Sequence, residues 1–323
     1  MRRSRILTFG NVVMDGIFIL PSMPGYDEKT FAKTVSWYPG GPAVHFATAS
    51  ARLGSRSSVL GWVGDDSIGL QVQQLLESRG VELALHRIMN AQTPTAIIMI
   101  DQTGEKAVVL SPPLDQGRLP APEEVAALDL SRTAHLHTHL FQEEYVRYLL
   151  AECGRSGISR SLDIEPSSVR RWGREAVQRI LRDVDIVFVN EAALRLLAPE
   201  GEELAEKLAV LASWGPMVVV CTRGRRGSVV LSGDRYVSCS AHQVVTNSTL
   251  AAGDIFASAF TYRYLKDKDF VEATRFASAA AAVAIGRSGS SVYYPSLFEI
   301  EETMERNRLN LEINEVNAEW KLI

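Results

Sequence analysis

The chain has 323 residues, 46% of them hydrophobic and 22% charged, enough to bury a sizeable core in one large domain. A formal net charge of -4 gives no general field for nucleic acid or an anionic membrane, and no stretch approaches the roughly 20 uninterrupted apolar residues of a membrane helix. Three widely spaced cysteines, Cys153, Cys221 and Cys239, lack zinc-ligand spacing and do not suggest a disulfide framework, which fits small core residues in a reducing cytoplasm.

The basic opening at residues 1–5 mimics the start of a signal peptide. The apolar run at 6–10 is short, however, and Asn11 and Asp15 interrupt its continuation, so it reads as a first buried strand. Residues 17–38 show no helical period. A helix is predicted over 44–53, a strand over 57–63 and a helix over 68–78. Residues 95–101 and 107–110 read as a hairpin with its turn at 101–104. The segments 17–40 and 95–110 break the alternation and are expected to form a small sheet outside the main layers, placed to act as a lid. Residues 111–122, rich in turn formers, read as a connecting loop. Strands follow at 133–138, 159–163, 186–190, 217–222 and 228–231, interleaved with helices at 143–153, 174–181, 202–212 and 255–264. The tail, 295–323, is amphipathic and charged and reads as a closing helix, or as partly frayed. Strands that are apolar throughout, as at 217–220, suit a parallel sheet covered on both faces, and the alternation predicts an α/β sandwich with right-handed crossovers.

The segment Thr249-Leu250-Ala251-Ala252-Gly253-Asp254 places small residues at the opening of a helix. Small side chains let an anion approach unpaired backbone amides, and the helix dipole favours it there. Asp254 in the first turn points into the same space and is positioned to accept a proton from an attacking hydroxyl. By themselves these six residues are also an ordinary helix start capped by an aspartate. His135, His137 and His139 alternate along a strand and so share one face. Their spacing of about 6.5–7 Å is a stretch for a single tetrahedral ion, and His139 at the strand's end more readily approaches a substrate pocket. No Gly-x-Gly-x-x-Gly follows the first strand, and neither a Walker A sequence nor a serine nucleophile elbow is present.

Read together and in order, several segments resemble the ribokinase/PfkB carbohydrate kinase family across nearly the whole chain. They are residues 6–15, the glycine pair Gly40-Gly41 with the helix after it, Gly61 to Gly69, Asn190-Glu191, Thr222 to Gly227, and Ala252-Gly253-Asp254. The resemblance implies a three-layer α/β/α ribokinase-like domain with a small β-sheet lid, in one unit over residues 1–323. It implies transfer of a phosphoryl group from ATP, with Mg²⁺, to a hydroxyl of a sugar or sugar derivative. Asp254 would be the base, and the amides of Ala251, Ala252 and Gly253 the cradle. Asp15, Gly40, Gly41 and His45 would meet the substrate, with His139 nearby. Asn190, Thr222, Arg223, Gly224, Gly227 and Ser278 would serve the nucleotide. No metal site made of protein ligands, no nucleic acid and no membrane is expected, and a homodimer through the lid in the cytoplasm is.

Four positions depart from the family's pattern, one of them His45, which stands where many sugar kinases carry asparagine. Ala251 stands where the family usually has glycine, and if that position needs a positive φ it costs about 1 kcal/mol or more. Ala193 stands for a glutamate that organises water and metal near the phosphates. Ser248 replaces an aspartate linked to monovalent-cation activation, which puts that activation in question. Two alternatives to a sugar kinase stay open: a nucleoside kinase of the same fold, and a non-catalytic ligand-binding regulator.

Overall fold

The computed structural model describes residues 4–103, 105–114, 119–126, 129–246, 248–289, 291–306 and 311–315. Gly104 of the expected hairpin turn and the tail beyond residue 315 lie outside the described residues. The strands are β1 (Arg5–Phe9), β2 (Val13–Ile19), β3 (Thr34–Gly40), β4 (Arg56–Gly64), β5 (Val81–Ile88), β6 (Thr95–Ile100), β7 (Lys106–Leu110), β8 (Thr133–His139), β9 (Ser159–Ile164), β10 (Ile186–Asn190), β11 (Val218–Thr222), β12 (Ser228–Ser232), β13 (Arg235–Cys239) and β14 (Leu311–Glu315). The helices are α1 (Pro42–Arg52), α2 (Ser67–Ser78), α3 (Pro122–Ala126), α4 (Glu143–Arg155), α5 (Pro166–Trp172), α6 (Arg174–Leu181), α7 (Glu191–Leu197), α8 (Leu204–Ser213), α9 (Ala252–Asp267), α10 (Phe270–Arg287) and α11 (Leu297–Arg306).

Ten strands form one sheet in the order β14-β13-β12-β11-β10-β9-β8-β1-β4-β5. From β5 to β11 every neighbouring pair is parallel, and β12, β13 and β14 add on antiparallel. In β10 the alternate residues face opposite ways. Ile186 and Phe188 join the core under α1, α9 and α10, with Phe46, Phe260 and Phe276. Val187 and Val189 join the core under α4, α6, α7 and α8, with Leu149, Val177, Leu194 and Leu208. Both faces are therefore covered, which is why this strand reads as a continuous apolar run. The chain leaves β1 for β4 and β5 on one side, then returns to β8 on the other. That reversal puts the switch point of the sheet beyond the carboxyl ends of β1 and β8, where open α/β sheets bind ligands.

A second sheet, β3-β2-β6-β7, stands apart from the first. Asp15, Ile17, Tyr38, Ala96 and Ile98 share its inner face through their cross-strand pairing, and all five are buried. The first strand does not run on to Asp15: it ends at Phe9, and Asp15 belongs to the second sheet. The break falls at Gly10, where a Cβ would stand 2.2 Å from the His139 ring, so the chain passes too close to β8 for any larger residue. The tail does not form a single closing helix. It makes α11, and β14 then extends the main sheet along β13.

Candidate active site

Asp254 occupies the third position of α9, whose N-cap is Ala251. Ala251 has φ 58° and ψ 12°, the left-handed region, so the alanine sits in the conformation that favours glycine and bears the corresponding strain. This turn presents the start of α9 to the cavity. The Ala252 amide donates to the Thr249 carbonyl at 3.3 Å. The amides of Ala251 and Gly253 have no protein acceptor among the described residues. Nothing lies within 4 Å of where a Gly253 Cβ would be, leaving space for an anion at a dipole-favoured helix end. Burial raises the Asp254 carboxyl well above the usual carboxylate range, and the charges of Asp163 and Glu165 raise it further. Asp163 is the penultimate residue of β9, in register with His139 of β8, and burial together with Glu165 pushes it up to about 7. Neither Asp163 nor Glu165 carries a motif in the sequence, because only the packing of β9 beside α9 gives them a place here.

On one side of Asp254 lies a cavity of about 510 Å³ that brings Thr222, Gly224, Gly227 and Ser278 together with Ala252 and Gly253. The segment expected to serve the nucleotide and the segment expected to cradle a phosphate, about thirty residues apart in sequence, thus line one space. Gly227, at φ 80°, approaches the backbone of the 239–241 segment so closely that a Cβ would be 2.0 Å from the Cys239 carbonyl oxygen. Arg223 and Asn190 do not line this cavity. Arg223 turns towards Glu191, 3.9 Å away, and the Asn190 side chain accepts from the Ala193 amide at 2.9 Å to cap α7. Glu191 is itself committed to Arg195 and Arg226. His242 lines the same cavity, is buried, and has no hydrogen-bond partner on either ring nitrogen. Burial lowers its pKa, which favours the neutral ring. No sequence motif marks it.

A second group of polar side chains gathers where the second sheet meets α1. Asp15 is buried on β2, and burial pushes its carboxyl up to about 7. Its oxygens lie over Gly40, where a Cβ would be 1.9 Å from Oδ2. Gly41 has φ 100° and would set a Cβ 2.3 Å from the Asn11 carbonyl, so both conformation and space require glycine there. His45, in the first turn of α1, has Nδ1 2.8 Å from the Tyr294 hydroxyl. Burial, and then the Arg79 charge, hold His45 down to about 4. Burial raises the Tyr294 phenol above its ordinary range; the Arg79 charge works against that and the charges of Asp254 and Asp15 work with it. Tyr38 pairs across β2–β3 with Asp15 and has a buried hydroxyl without a partner. His139 is buried, stacked on Phe141 and pressed against Gly10, at the switch point. His135 and His137 lie deeper on β8 and are bridged by the Ser161 hydroxyl, 2.8 Å from each. Among the described residues no group of three or more His, Cys, Asp or Glu is arranged to hold a metal ion.

The chain has relatives among known proteins, and its fold has counterparts among solved structures. The chain is 27% identical over 287 residues to the ATP-dependent ribose-1-phosphate kinase of Halopiger xanaduensis, covering 88% of this chain and 93% of that protein. It is 27% identical over 300 residues to the nucleoside kinase of Methanothermobacter thermautotrophicus, covering 91% and 93%. Among solved structures, a putative Ribokinase II from E. coli in complex with ATP and Mg²⁺ superposes with a TM-score of 0.81, at 22% identity, covering 94% of this chain and 100% of that one. That likeness shows the ribokinase-like fold. The family model described as pfkB family carbohydrate kinase matches residues 3–297, and the chain belongs to that family of kinases.

Proposed function

We propose that this kinase transfers the γ-phosphoryl group of ATP to a hydroxyl of a sugar or sugar derivative, with Asp254 as the general base. The observation that carries the reading is that Asp254, in the first turn of α9, stands at the junction of that helix start with the cavity lined by Ala252, Gly253 and Thr222. An acceptor hydroxyl at this junction gives its proton to the Asp254 carboxylate as its oxygen attacks the γ-phosphorus. The bond from that phosphorus to the bridging oxygen breaks, and ADP leaves with the electron pair. The free amides of Ala251 and Gly253 stabilise the charge on the transferring group. A raised carboxyl suits this task, because a stronger base gains more from the proton it accepts.

Mg²⁺ fits as a companion of the nucleotide, since this ion keeps several waters and binds chiefly through substrate phosphates. Asp163 and Glu165 add negative charge beside Asp254 and would be the carboxylates facing it. When bound, the ion neutralises phosphate charge. The relatives' names span ribose-1-phosphate, nucleosides and ribose, and the similarity to the Methanothermobacter nucleoside kinase supports a nucleoside acceptor as the second reading. A homodimer through the second sheet is part of the proposal, supported by the exposed Val35, Trp37 and Val109 on one face of that sheet. Three buried free cysteines support a cytoplasmic setting.

ADP release, followed by a coupled assay over sugars and nucleosides, tests the reading. Wild type is expected to turn over at least one acceptor, and Asp254→Asn to lose about 10²–10⁴-fold in kcat with its thermal unfolding intact. Equal turnover by the two proteins overturns the base assignment.

A further inference from the structure

Arg79 follows the last residue of α2, a helix that packs against both β2 and β3. It is partly buried, and its guanidinium carbon lies over the Tyr294 ring, 5.8 Å from the centroid. Nearby arginines are neutralised: Arg56 holds Glu82 and Arg87 holds Asp65. Arg79 has no such ion pair among the described residues. Its charge instead reaches three uncharged groups of the acceptor side, His45, Tyr38 and Tyr294.

These groups share one chemistry. The guanidinium is a fork of N–H donors matched to phosphate and carboxylate oxygens. The Tyr38 hydroxyl is buried without a partner, which leaves a donor with nothing to donate to. The hydrogen-bonded His45 and Tyr294 side chains, 2.8 Å apart, supply a third polar point beside it. A neutral polyol filling this corner would leave the Arg79 charge uncompensated in a half-buried place. An anionic group would neutralise it and give Tyr38 an acceptor. Asp15, paired with Tyr38 across β2–β3, repels an anion from its own corner and so orients the acceptor with its charged end toward Arg79 and a hydroxyl toward Asp254.

We propose that Arg79, with Tyr38 and the His45–Tyr294 pair, binds an anionic substituent on the acceptor, a phosphate or a carboxylate, so that the enzyme phosphorylates a charged sugar derivative in preference to the free sugar. The inference rests on the kinase reading above and adds the acceptor's chemical class to it.

The test is ADP release with three matched sets of acceptors: free pentoses, hexoses and nucleosides, their monophosphates, and the corresponding sugar acids. Wild type, Arg79→Met, Arg79→Lys and Asp254→Asn are compared, with thermal unfolding checked for each. Wild type is expected to show a KM at least tenfold lower for a phosphate or a sugar acid than for the neutral parent, and which of the two arms responds identifies the anion. Arg79→Met is expected to raise that KM at least tenfold while leaving kcat within about threefold, with Arg79→Lys recovering part of the loss. Turnover of neutral acceptors alone, lost in Asp254→Asn and unchanged in Arg79→Met, overturns the inference and leaves the kinase reading standing. Turnover of no acceptor by wild type overturns both.

Discussion

At residue 251 the backbone adopts φ 58° with an alanine in place. A non-glycine residue in the left-handed region costs about 1–2 kcal/mol, and it falls at the turn that brings Ala252 and Gly253, at the start of α9, to the cavity wall. Ala251→Gly is expected to remove that strain and lose about 0.5–1 kcal/mol of it to the greater freedom of glycine when unfolded. The net expectation is a stabilisation of about 0.5 kcal/mol or more in urea unfolding, with the cradle geometry unchanged. A variant less stable than wild type would show that Ala251 is not strained. The residues of this site differ in how visible they are in the sequence. Gly41 and Asp254 stand in runs whose composition already states a physical need: close backbone approach, and an acid at a helix start. Asp163, Tyr294, Arg79 and His242 have no such local reason. Each takes its role from a neighbour far away in the chain, as Tyr294 does from His45, 249 positions off.

Among the elements, strands whose two faces are both covered declared themselves, since β10 and β11 are apolar at nearly every position. The Ala-rich α10 did not stand out as helix, because its alanines face α9 closely and leave no polar-apolar stripe to read. The alternating histidines of β8 showed their common face but not their role. Two of them are closed off by Ser159 and Ser161 in the strand interior, and only His139 reaches the switch point. The second sheet was visible as a break in the alternation, yet its inner and outer faces needed the register. Pairing puts Phe18, Val35, Trp37, Ile97, Met99 and Val109 on the outer face, and Val35, Trp37 and Val109 are well exposed. An apolar face of this kind on the second sheet favours burial against a second copy. The protein is therefore expected to sediment as a dimer at micromolar concentration, and Trp37→Glu to sediment as a monomer. A wild-type protein that sediments as a monomer across that range removes the lid interface from the proposal.

Taken as a whole, the molecule gathers unlike demands around one site, and its stability against pH should record them. Asp15 and Asp163 are pushed up from 3.8 to about 7, so the folded state binds their protons more tightly than the unfolded chain does. Their contribution is fully present below about pH 4 and is lost as pH rises to about 7. His45, His139 and His135 are pushed down from 6.5 to about 4, 4 and 3 by burial. Their contribution has the opposite sign: it is present above about pH 6.5 and is lost as pH falls. Between pH 4 and 6.5 the two sets oppose each other, which hides each of them in the wild-type profile. A single substitution separates them. Asp15→Asn keeps the shape over Gly40 and removes the titration, so without ligand it is expected to match wild type near pH 4 and to exceed it at pH 8 by about 4 kcal/mol. The same variant loses the carboxylate that faces the acceptor, so KM for the acceptor rises while the stability gain persists. Urea unfolding at the two pH values reads the difference directly. Equal stability of variant and wild type at pH 8 would mean that the buried Asp15 charge is already compensated, and with it the case for a site that sacrifices stability to hold an acceptor would fall.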